Sequence, residues 1–530
     1  MGHTQAALIK ALLDPRRYDP PVDAVDLIET HISFILLAGA YAYKIKKAVA
    51  LGFLDFSTLE KRRFYCEEEL RLNRRFAPDL YLDLVAIGGT PARPVLYASG
   101  SILEYAIKMA RFPQEALLDR MLEAGGLTPQ LIDGVAAEVA AVHGAVAGAS
   151  VPAGRGTPEA VRQPVHENFV QIAERAIGRA ENELLPSLRA WCEEEFTRRQ
   201  KDFIARLENG FVRECHGDLH LGNMALIEGR VTLFDCIEFN PGLRWIDVMS
   251  DAAFLVMDLE DRGRPDLAWR FLNAYLERSG DFAGLRVLPY YLVYRAMVRA
   301  KVACIRASQP GLSGREAQQA WQRAQSYLAI AARLARQARP WLLITFGYSG
   351  SGKTTATQAL LEKTGAIRLR SDVERKRLHG LAPEARSQSG FDQGLYAPDA
   401  HVQTYRRLAE LAEDVLLAGY PVIVDAAFLK RGERDAFHAL ARKTGVAFVI
   451  LELRAEADEL RRRVALREEL GRDASEATLP VLEMQFQRGE GIAPEESAVA
   501  VTLDSGAAME AAIGHLARRL LDNPDGICQD

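Results

Sequence analysis

The stretch "LLITFGYSGSGKTTATQALLEKT", residues 342–364, decides the fold of the second half of the chain. A short apolar run leads directly into a glycine-rich loop, and the loop leads into a pattern typical of a helix. Glycines let backbone N–H groups curl around phosphate oxygens, and the N-terminus of the next helix attracts an anion. The alternative is a glycine-rich turn that binds nothing. The strand before the loop and the helix after it favour a phosphate site.

The residues of this loop predict a nucleotide site that also holds a metal ion. From Gly347 to Thr354 the loop fits the pattern G-x-x-x-x-G-K-[ST], in which the lysine reaches the outer phosphates and the hydroxyl binds Mg²⁺. ATP and Mg²⁺ are therefore the predicted cofactors. The predicted nucleotide-binding residues are Gly347, Ser349, Gly350, Ser351, Gly352, Lys353, Thr354 and Thr355, and Thr354 is also a predicted metal ligand.

Apolar runs alternate with helical stretches after residue 341. The runs lie at 342–346, 366–370, 421–425, 447–453 and 499–503. Strands that alternate with helices favour a parallel sheet covered by helices on both faces. We therefore predict an α/β domain with a five-stranded parallel sheet at residues 338–530.

Two carboxylates follow strands of this predicted sheet, at the edge where ligands of open α/β sheets bind. Asp372 follows the second run and suits a general base that takes a proton from an acceptor hydroxyl. Its alternative role is structural, because Ser371 and Glu374 fit a capping box. Asp425 ends the third run, where a carboxylate can hold the metal shell or a water molecule. The alternative for Asp425 is a cap on the next turn.

The segment "ELRRRVALREEL", residues 459–470, is rich in arginine. A charged run on a helix is usually a solvated face, but arginines beside a transferring phosphoryl group would stabilise its charge. Arg463 and Arg467 are four residues apart and so share one helix face. We predict that these two are the catalytic arginines.

A second motif, "ECHGDLHLGN", occupies residues 214–223. Asp218 and Asn223 are spaced as in the loop H-R-D-x-x-x-x-N, where the Asp accepts a hydroxyl proton and the Asn binds Mg²⁺. Asp235 ends a strand-like run downstream and is placed to bind the same metal. The alternative is a satisfied loop histidine among ordinary turn carboxylates. We predict a second site, with Asp218 catalytic and with Asn223 and Asp235 as metal ligands.

Residues 341–525 resemble the small P-loop kinases of the gluconate kinase, zeta toxin and polynucleotide kinase group. The resemblance rests on "GYSGSGKTT", "RSDVERKRL" and "VIVDAAFLKRGERDAF", which match that group in order and spacing. It implies that Asp372 is the base and that Arg375 contacts the acceptor. It does not identify the acceptor, because that pocket varies within the group.

Residues from about 25 to 310 resemble the aminoglycoside phosphotransferase and choline kinase superfamily. The hallmark of that superfamily, H-G-D-x-x-x-x-N followed by a strand that ends in Asp, is matched by residues 216–223 and by Asp235. The resemblance implies an α+β protein-kinase-like domain at residues 1–337, with a small strand-rich N-lobe and a helical C-lobe.

A protein-kinase-like fold needs a lysine on an early strand and a glutamate on a nearby helix. The run "AYAYKIKKA", residues 40–48, offers Lys44 and Lys46 on one strand face. Lys44 is the preferred nucleotide-binding residue, and an exposed strand lysine is the alternative. Glu69 is preferred to Glu68 as its partner because apolar residues follow Glu69 at helical spacing.

The first half departs from the superfamily pattern at its start. No glycine-rich loop with a strand before it is evident ahead of the first hairpin, so the nucleotide lid is expected to be reduced. Residues 150–164, rich in Gly and Pro, are predicted to be a loop. We expect Asp247 to brace the catalytic loop and His143 to pack in the core.

The composition of the 530 residues is that of an ordinary globular protein, with 48% hydrophobic and 26% charged residues. A net charge of −5 gives no general attraction to nucleic acid. The six cysteines form no CxxC pair, which disfavours a zinc site or a disulfide framework. The sequence shows neither a signal peptide nor a membrane-length apolar run, so we expect a cytoplasmic protein without a membrane partner.

These features favour an ATP-dependent phosphotransferase with two nucleotide-binding modules that phosphorylates a hydroxyl group of a small molecule. In one alternative the P-loop half is the only kinase and the first half is a substrate-binding pseudokinase. In another the chain is a nucleotide-dependent regulatory ATPase. A kinase of nucleic-acid ends is a further alternative that the charge does not support.

Overall fold

The computed structural model describes residues 2–51, 54–146, 148, 150–176, 184–309, 311–336, 339–383, 385, 397–470, 478–504, 506 and 509–524. The chain divides into two compact units. The first unit contains Met1–Pro164 and Phe203–Leu255, and the second contains Val165–Asp202 and Val256–Asp530. The boundary predicted between residues 337 and 338 lies outside the described residues and stays a prediction.

The strands are numbered in chain order. Those of the first unit are β1 (Val25–Glu29), β2 (Ser33–Ala38), β3 (Tyr41–Lys46), β4 (Ala50–Leu51), β5 (Leu54–Asp55), β6 (Tyr81–Thr90), β7 (Arg93–Leu96), β8 (Ile102–Ala110), β9 (Val212–Glu214), β10 (Met224–Ile227), β11 (Arg230–Leu233) and β12 (Trp245–Asp247). Those of the second unit are β13 (Trp341–Phe346), β14 (Ile367–Arg370), β15 (Val422–Asp425), β16 (Ala447–Arg454) and β17 (Ala500–Asp504).

The α-helices follow the same numbering. The first nine are α1 (Gly2–Leu12), α2 (Leu59–Asn73), α3 (Leu118–Glu123), α4 (Pro129–Ala145), α5 (Pro158–Arg175), α6 (Leu185–Glu208), α7 (Pro241–Arg244), α8 (Val248–Asp261) and α9 (Pro265–Ser279). The others are α10 (Leu288–Ala307), α11 (Gly314–Leu334), α12 (Lys353–Thr364), α13 (Ser371–Leu378), α14 (Pro398–Leu417), α15 (Arg431–Thr444), α16 (Ala457–Leu470), α17 (Leu479–Arg488) and α18 (Met509–Asp522).

A six-stranded antiparallel sheet forms the first part of the first unit, in the order β1-β2-β3-β8-β6-β7. Tyr43 and Ile45 pack with residues of α1, whereas Ala42 packs with residues of α2. Alternation along β3 therefore places Lys44 and Lys46 on the α2 face of the sheet. The predicted strand-rich N-lobe is confirmed, and its central strand aims both lysines at α2.

A strand that the sequence did not indicate precedes the first hairpin, although no glycine-rich loop follows it. Strand β1 pairs with β2 in an antiparallel register that runs from Val25 opposite Ala38 to Glu29 opposite Phe34. Its residues are exposed or only partly buried, so the sequence carries no strong strand signal there. The connection between β1 and β2 contains no glycine, and Thr30 Oγ1 closes it by accepting the N–H of Ser33 at 2.9 Å.

The loop predicted at residues 150–164 is also shorter than expected, because helix α5 begins at Pro158. Thr157 Oγ1 accepts the backbone N–H of Ala160 at 3.2 Å, and a proline suits the first turn of a helix because its missing N–H would have no partner there. Pro164 lies inside the helix. The Gly and Pro content of residues 150–164 therefore indicated a loop where α5 in fact begins.

The second unit contains the predicted parallel sheet of five strands, in the order β14-β15-β13-β16-β17. Each of the five predicted runs is a strand, and the α/β prediction is confirmed. Apolar residues of α12 and α18 pack on one face of the sheet, and α14 and α15 contact its strands as well. The order places β15 beside β13, so the carboxyl ends of these strands meet at one edge.

Residues 256–336 of the second unit are mostly helical, as predicted for a C-lobe. They contain the end of α8 and the helices α9, α10 and α11, with a 3₁₀ segment at Phe282–Arg286. Within the described part of the chain, no helix combines the length and the apolar character needed to cross a membrane.

Leu343→Ala is expected to destabilise the second unit strongly. Leu343 is fully buried in β13, and truncation of a buried leucine costs about 2–5 kcal/mol because it leaves a cavity. The control is Leu417→Ala at the end of α14, where the side chain is 60% exposed and the change should stay within about 0.5 kcal/mol. The urea midpoint of each variant tests this, and equal midpoints would contradict the assigned core.

Candidate active sites

The first candidate site is built on the loop between β9 and β10. Asn223 ends a 3₁₀ turn, and its Nδ2 donates to the Asp218 carboxylate at 3.1 Å and to the Asp218 carbonyl at 3.0 Å. His220 Nε2 lies 3.4 Å from the same carboxylate. The Asp218 side chain keeps 37% of its surface exposed, so its carboxylate is open to an acceptor.

Asp251 in the first turn of α8 holds this loop in place. Its two carboxylate oxygens accept the backbone N–H groups of His216 and Gly217, each at 2.9 Å, and the residue is fully buried. Gly217 has a φ of 87°, and a Cβ there would approach the Leu243 carbonyl to 2.7 Å, so glycine is required. One buried carboxylate therefore sets the path of the loop.

The structure shows Asp251 in the bracing role that was expected of Asp247. Asp247 ends β12, and its carboxylate binds the Arg206 guanidinium at 2.5 and 2.7 Å. Asp251 lies one helical turn further along, and it is this residue that reaches the loop amides. His143, which was predicted to pack, is buried, and its Nε2 lies 3.3 Å from Asp251 Oδ2.

His216 connects the loop to the segment that follows β11. Its Nε2 lies 2.8 Å from the Phe234 carbonyl, and its Nδ1 lies 3.3 Å from the backbone N–H of Asp218. These partners assign the proton to Nε2. Burial lowers the pKa of His216, although Asp251, Asp218 and others act in the opposite direction. His216 is thus a neutral structural bridge between the two predicted parts of the site.

Asp235 has a left-handed backbone with a φ of 63°. Its N–H donates to the Tyr81 hydroxyl at 3.0 Å, and the next N–H, of Cys236, donates to Asn73 Oδ1 at 2.9 Å. A non-glycine residue rarely adopts this conformation, and side chains from β6 and α2 hold it here. The surrounding packing therefore fixes the direction of the Asp235 carboxylate.

Lys44 Nζ lies 2.8 Å from Glu69 Oε1 and 2.5 Å from Asp235 Oδ1. Burial disfavours the charge on Lys44, but Asp235 and Glu69 outweigh it and raise its pKa. The structure therefore brings together the lysine and the glutamate that the sequence paired. Their role in nucleotide binding stays a prediction.

Lys46 and Glu238 complete the charge network and were missed as site residues. Lys46 Nζ binds Glu69 Oε2 at 2.6 Å and also binds the Glu238 carboxylate. Burial opposes ionisation of Glu69, yet the two ammonium groups hold the pKa of Glu69 below its usual range. The two-residue spacing of the lysines signals Lys46, whereas no sequence pattern signals Glu238.

The second candidate site is the loop between β13 and α12. A Cβ added at Gly347 would lie 2.7 Å from Ser351 Oγ and 2.8 Å from the Leu453 carbonyl, so the loop is tightly wound. Ser351 Oγ is buried and has no hydrogen-bond partner among the described residues. The side chains of Thr354 and Thr355 are exposed at the start of α12. A curled loop with an unsatisfied hydroxyl fits a phosphate ligand.

Lys353 Nζ donates to the carbonyls of Gly347 and Tyr348, each at 2.8 Å. Burial lowers the pKa of Lys353 to about 8, although Asp425 and Asp372 act in the opposite direction. Both carboxylates are thus close enough to influence the lysine. The predicted lysine, base and metal-shell carboxylate converge on one site.

Asp425 ends β15 beside the loop, as predicted. Its Oδ2 accepts the Thr357 hydroxyl at 3.2 Å, and the residue is buried. Asp372 lies in the first turn of α13 and binds Arg375 at 2.8 Å. The capping box considered for Ser371 is not formed, since α13 has no side-chain cap hydrogen bond. Asp372 and Arg375 are therefore in contact where an acceptor is expected.

An aromatic and acidic wall beside Asp372 was not predicted. The Tyr405 hydroxyl accepts the Phe428 N–H at 3.2 Å, and the His401 ring lies 4.6 Å from the Tyr405 ring. His401 Nε2 binds Glu433 at 2.7 Å. Burial raises the pKa of Tyr405, with Glu433 adding to the rise and Arg375 opposing it. No motif signals these residues, which lie mainly on an ordinary amphipathic helix.

The arginine-rich helix α16 packs against the phosphate loop. Arg463 binds Glu459 at 2.6 Å and donates to the Gly350 carbonyl at 3.2 Å, while Arg467 lowers the pKa of Lys353 by its charge. The predicted pair thus lies at the loop, and its catalytic role stays a prediction. Gln485 of α17 was missed: its Oε1 accepts the Ser349 N–H at 2.9 Å.

The donor sets of the two sites fit the predicted Mg²⁺ and ATP. In the first site Asn223 and Asp235 offer the oxygen ligands that Mg²⁺ prefers, and Lys44 offers a buried ammonium to phosphates. In the second site Thr354 and Asp425 offer the oxygens.

Two family models match the chain. A model of the phosphotransferase enzyme family matches residues 66–288, and a model of the AAA domain matches residues 342–491. They confirm the predicted order, in which a phosphotransferase-type domain precedes a P-loop domain.

The chain is also similar to known proteins. Rv2004c of Mycobacterium tuberculosis, described as uncharacterized, is 32% identical over 443 residues, which are 84% of this chain and 86% of the relative. A sugar kinase from Janibacter sp. is 24% identical over 36% of this chain and 98% of its own, with a TM-score of 0.27. Amicoumacin kinase hAmiN, solved with AMP-PNP, Ca²⁺ and Ami, is 15% identical over 61% of this chain and 93% of its own, with a TM-score of 0.39.

Asp251→Asn is expected to loosen the loop of residues 214–223. A carboxamide offers one acceptor oxygen where the loop needs two, so the N–H of His216 or Gly217 loses its partner at a cost of about 1–3 kcal/mol. Hydrogen exchange followed by mass spectrometry should be faster in the peptide of residues 214–223, and the melting temperature should fall.

Asp247→Asn is the matched control for this measurement. It weakens the ion pair with Arg206 and should lower the melting temperature, but it should leave exchange in residues 214–223 unchanged. Wild-type exchange of that peptide in Asp251→Asn would contradict the bracing role of Asp251.

Proposed function

We propose that this chain, which belongs to the family of two-domain proteins that includes Rv2004c of Mycobacterium tuberculosis, is an ATP-dependent phosphotransferase with two nucleotide sites. Each site would transfer the γ-phosphoryl group of ATP to a hydroxyl group of a small molecule. The observation that carries the proposal is the contact between Asp218 and Asn223 in a loop whose histidine also bridges to the Asp235 segment. It supports a base and a metal-binding pair within one site.

In the first site Lys44 would bind the phosphates of ATP, and Glu69 would hold Lys44 in place. Asn223 and Asp235 would hold Mg²⁺, which neutralises phosphate charge when it is bound. Asp218 would accept the proton of the acceptor hydroxyl. The acceptor oxygen would form its bond to the γ-phosphorus while the bond from that phosphorus to the bridging oxygen of ADP breaks. The catalysis is mainly positioning and charge stabilisation.

In the second site the loop from Gly347 to Thr355 would cradle the phosphates of a second ATP. Thr354 would be a metal ligand, and Asp425 would hold the metal shell. Asp372 would accept the hydroxyl proton, and Arg375, which touches Asp372, would contact the acceptor. The lid arginines would stabilise the charge of the group in transfer.

A small acceptor is preferred to a nucleic-acid end. The net charge of −5 provides no general attraction to a polyanion, and the walls beside Asp372 carry carboxylates as well as cations. Strong loss of binding to oligonucleotides with added salt would instead favour nucleic acid. A cytoplasmic location is part of the proposal, because the buried free cysteines would stay reduced there.

The second candidate function is a P-loop kinase with a substrate-binding pseudokinase as its first domain. The glycine-free connection between β1 and β2 favours it, because a protein-kinase lid is normally rich in glycine. The complete set of Asp218, Asn223, Asp235 and Lys44 favours an active first site. A regulatory ATPase would hydrolyse ATP slowly and label no small molecule.

Labelled ATP and a pool of cell metabolites separate these functions. Asp218→Ala should remove one labelled product, and Lys353→Ala should remove another, each by about 10²-fold or more, because each change deletes a group that acts at its own reacting centre. The double variant should make neither product. Chromatography of the labelled metabolites measures each loss.

Matched controls are Glu208→Ala on α6 and Lys363→Ala on α12, both at exposed positions, and they should keep both products. If Asp218→Ala changes nothing while Lys353→Ala removes every product, the first domain is a binding module. If neither variant changes any product, the two-kinase proposal fails.

Removal of divalent metal should abolish both products, and added Mg²⁺ should restore them. Asn223→Ala removes one predicted metal ligand from the first site, so it should raise the Mg²⁺ concentration needed for the first product by about tenfold or more. The Mg²⁺ requirement of the second product should not change. An equal shift for both products would contradict two separate metal sites.

A further inference from the structure

Helix α9 covers the outer edge of strand β14 within the second unit. Strand β14 is the last strand of its sheet, and its other edge pairs with β15. The Asn273 carboxamide bonds to the free side: its Oδ1 accepts the Arg368 N–H at 2.7 Å, and its Nδ2 donates to the Ala366 carbonyl at 3.1 Å. A buried side chain thus takes the place of a neighbouring strand.

One helical turn further along α9, Glu277 binds the side chains of the same strand. Its Oε1 lies 2.9 Å from the Arg368 guanidinium, and its Oε2 lies 3.5 Å from that of Arg370. The Glu277 side chain is 12% exposed, and Arg368 is 6% exposed. Burial disfavours ionisation, but the two arginines outweigh it and lower the pKa of Glu277. This carboxylate is the charged partner that Arg368 needs in a buried position.

Arg368 also contacts the end of the phosphate loop and the first turn of α12. Its Nη1 approaches the Thr354 carbonyl at 3.4 Å and the Thr357 hydroxyl at 3.5 Å. The same Thr357 hydroxyl donates to Asp425. Glu277 is therefore connected through one arginine to the first turn of α12 and to the carboxylate proposed for the metal shell.

Arg370 is followed directly by Ser371 and the proposed base Asp372. Glu277 also contacts α13, the helix that contains Asp372, because the Arg377 guanidinium donates to the Glu277 carbonyl at 2.6 Å. Glu277 thus touches residues on both sides of Asp372. A shift of about 1 Å in a base can lower a rate by about 10²-fold.

Other contacts of α9 dock the helix without touching β14. Arg270 binds Glu362 of α12 at 2.7 Å, and the Trp269 ring lies 6.2 Å from the Tyr420 ring. A Cβ added at Gly365 would approach the Trp269 ring to 2.8 Å. The docking of α9 and its contacts with the residues that flank Asp372 can therefore be perturbed separately.

We propose that Glu277 is a positioning residue for the P-loop site, supplied by a helix of the phosphotransferase-type domain. The match to the phosphotransferase family includes α9, whereas the match to the AAA domain begins at residue 342. The P-loop site is then incomplete without the preceding domain. The inference rests on the proposed function of that site, because it assigns Asp372 as the base.

The test uses the full chain with Mg-ATP and the metabolite pool. Glu277→Gln should lower the kcat of the Lys353-dependent reaction by about 10- to 100-fold and should change the KM for ATP much less, because in this site Arg368 touches only the first turn of α12 and the glycine-rich part of the loop keeps its own contacts. Glu277→Asp should recover part of the loss. The matched control, Glu362→Gln, breaks the other ion pair of the same surface and should keep kcat within about twofold of the wild type.

A second readout does not depend on turnover. Hydrogen exchange in the peptide that contains Ser371 and Asp372 should be faster in Glu277→Gln than in Glu362→Gln. If Glu277→Gln does not fold, Arg370→Gln is used in its place, because the contact of Glu277 with Arg370 is longer than its contact with Arg368. Exchange should again be faster and kcat lower than in Glu362→Gln.

The outcomes separate the inference from the proposed function. Equal kcat and equal exchange in the Glu277 or Arg370 variant and in Glu362→Gln would overturn the positioning role while leaving the P-loop kinase intact. A wild-type chain without any Lys353-dependent product would overturn the proposed function. Faster exchange around Asp372 in Glu277→Gln would still support the structural contact in that case.

Discussion

The Glu69 carboxylate has no exposed surface and yet accepts two ammonium groups, and the first site depends on this arrangement. A buried charge is costly unless partners compensate it, so Glu69 fixes Lys44 and Lys46 on one face of β3. Both lysines also bind the segment after β11, through Asp235 and Glu238. A slip of β3 by one residue would turn both lysines away from α2. The register of β3 in the sheet therefore also determines the geometry of the site. In the proposed function Lys44 binds phosphates, and its ion pair with Asp235 is the contact that nucleotide binding would replace.

The same rule governs the second site, where the buried Arg368 has to find a carboxylate. Its partner is Glu277 of α9, which is distant in the sequence and does not belong to the sheet that contains Arg368. The exposed ion pairs on α16 differ in kind. Arg462, for example, binds Glu459 at the surface, where such pairs contribute about 0–1 kcal/mol. The arginines that stabilise the fold are therefore the buried ones, because a buried guanidinium needs a carboxylate partner.

Motifs and periodicity predicted the five strands of the parallel sheet and the phosphate loop, because these features follow from local patterns or from a fixed spacing of residue types. The pairing of Lys44 with Glu69 was implied by the resemblance to kinase-like proteins. The start of α5 was missed because Gly and Pro conceal a threonine cap. Asp251 was missed as the residue that accepts the loop amides, because no local pattern tells which acidic residue near a helix start reaches a distant loop. Glu238, Gln485 and Glu277 act through tertiary contacts, and no local pattern encodes which distant side chain they meet.

The domain boundary predicted between residues 337 and 338 marks where the sequence pattern of strands and helices changes. The packing of the parallel sheet extends across this boundary to α9. Residues 338–530 contain a complete parallel sheet, but the outer edge of β14 finds its hydrogen bonds in Asn273 of α9. Without α9 that edge would expose an unpaired N–H and C=O, beside two arginines without their carboxylate. Exposed strand edges are sites of non-specific association. Joining the two domains in one chain keeps α9 beside the edge at a high effective concentration. The covalent link therefore has a physical reason that is independent of the chemistry of either site.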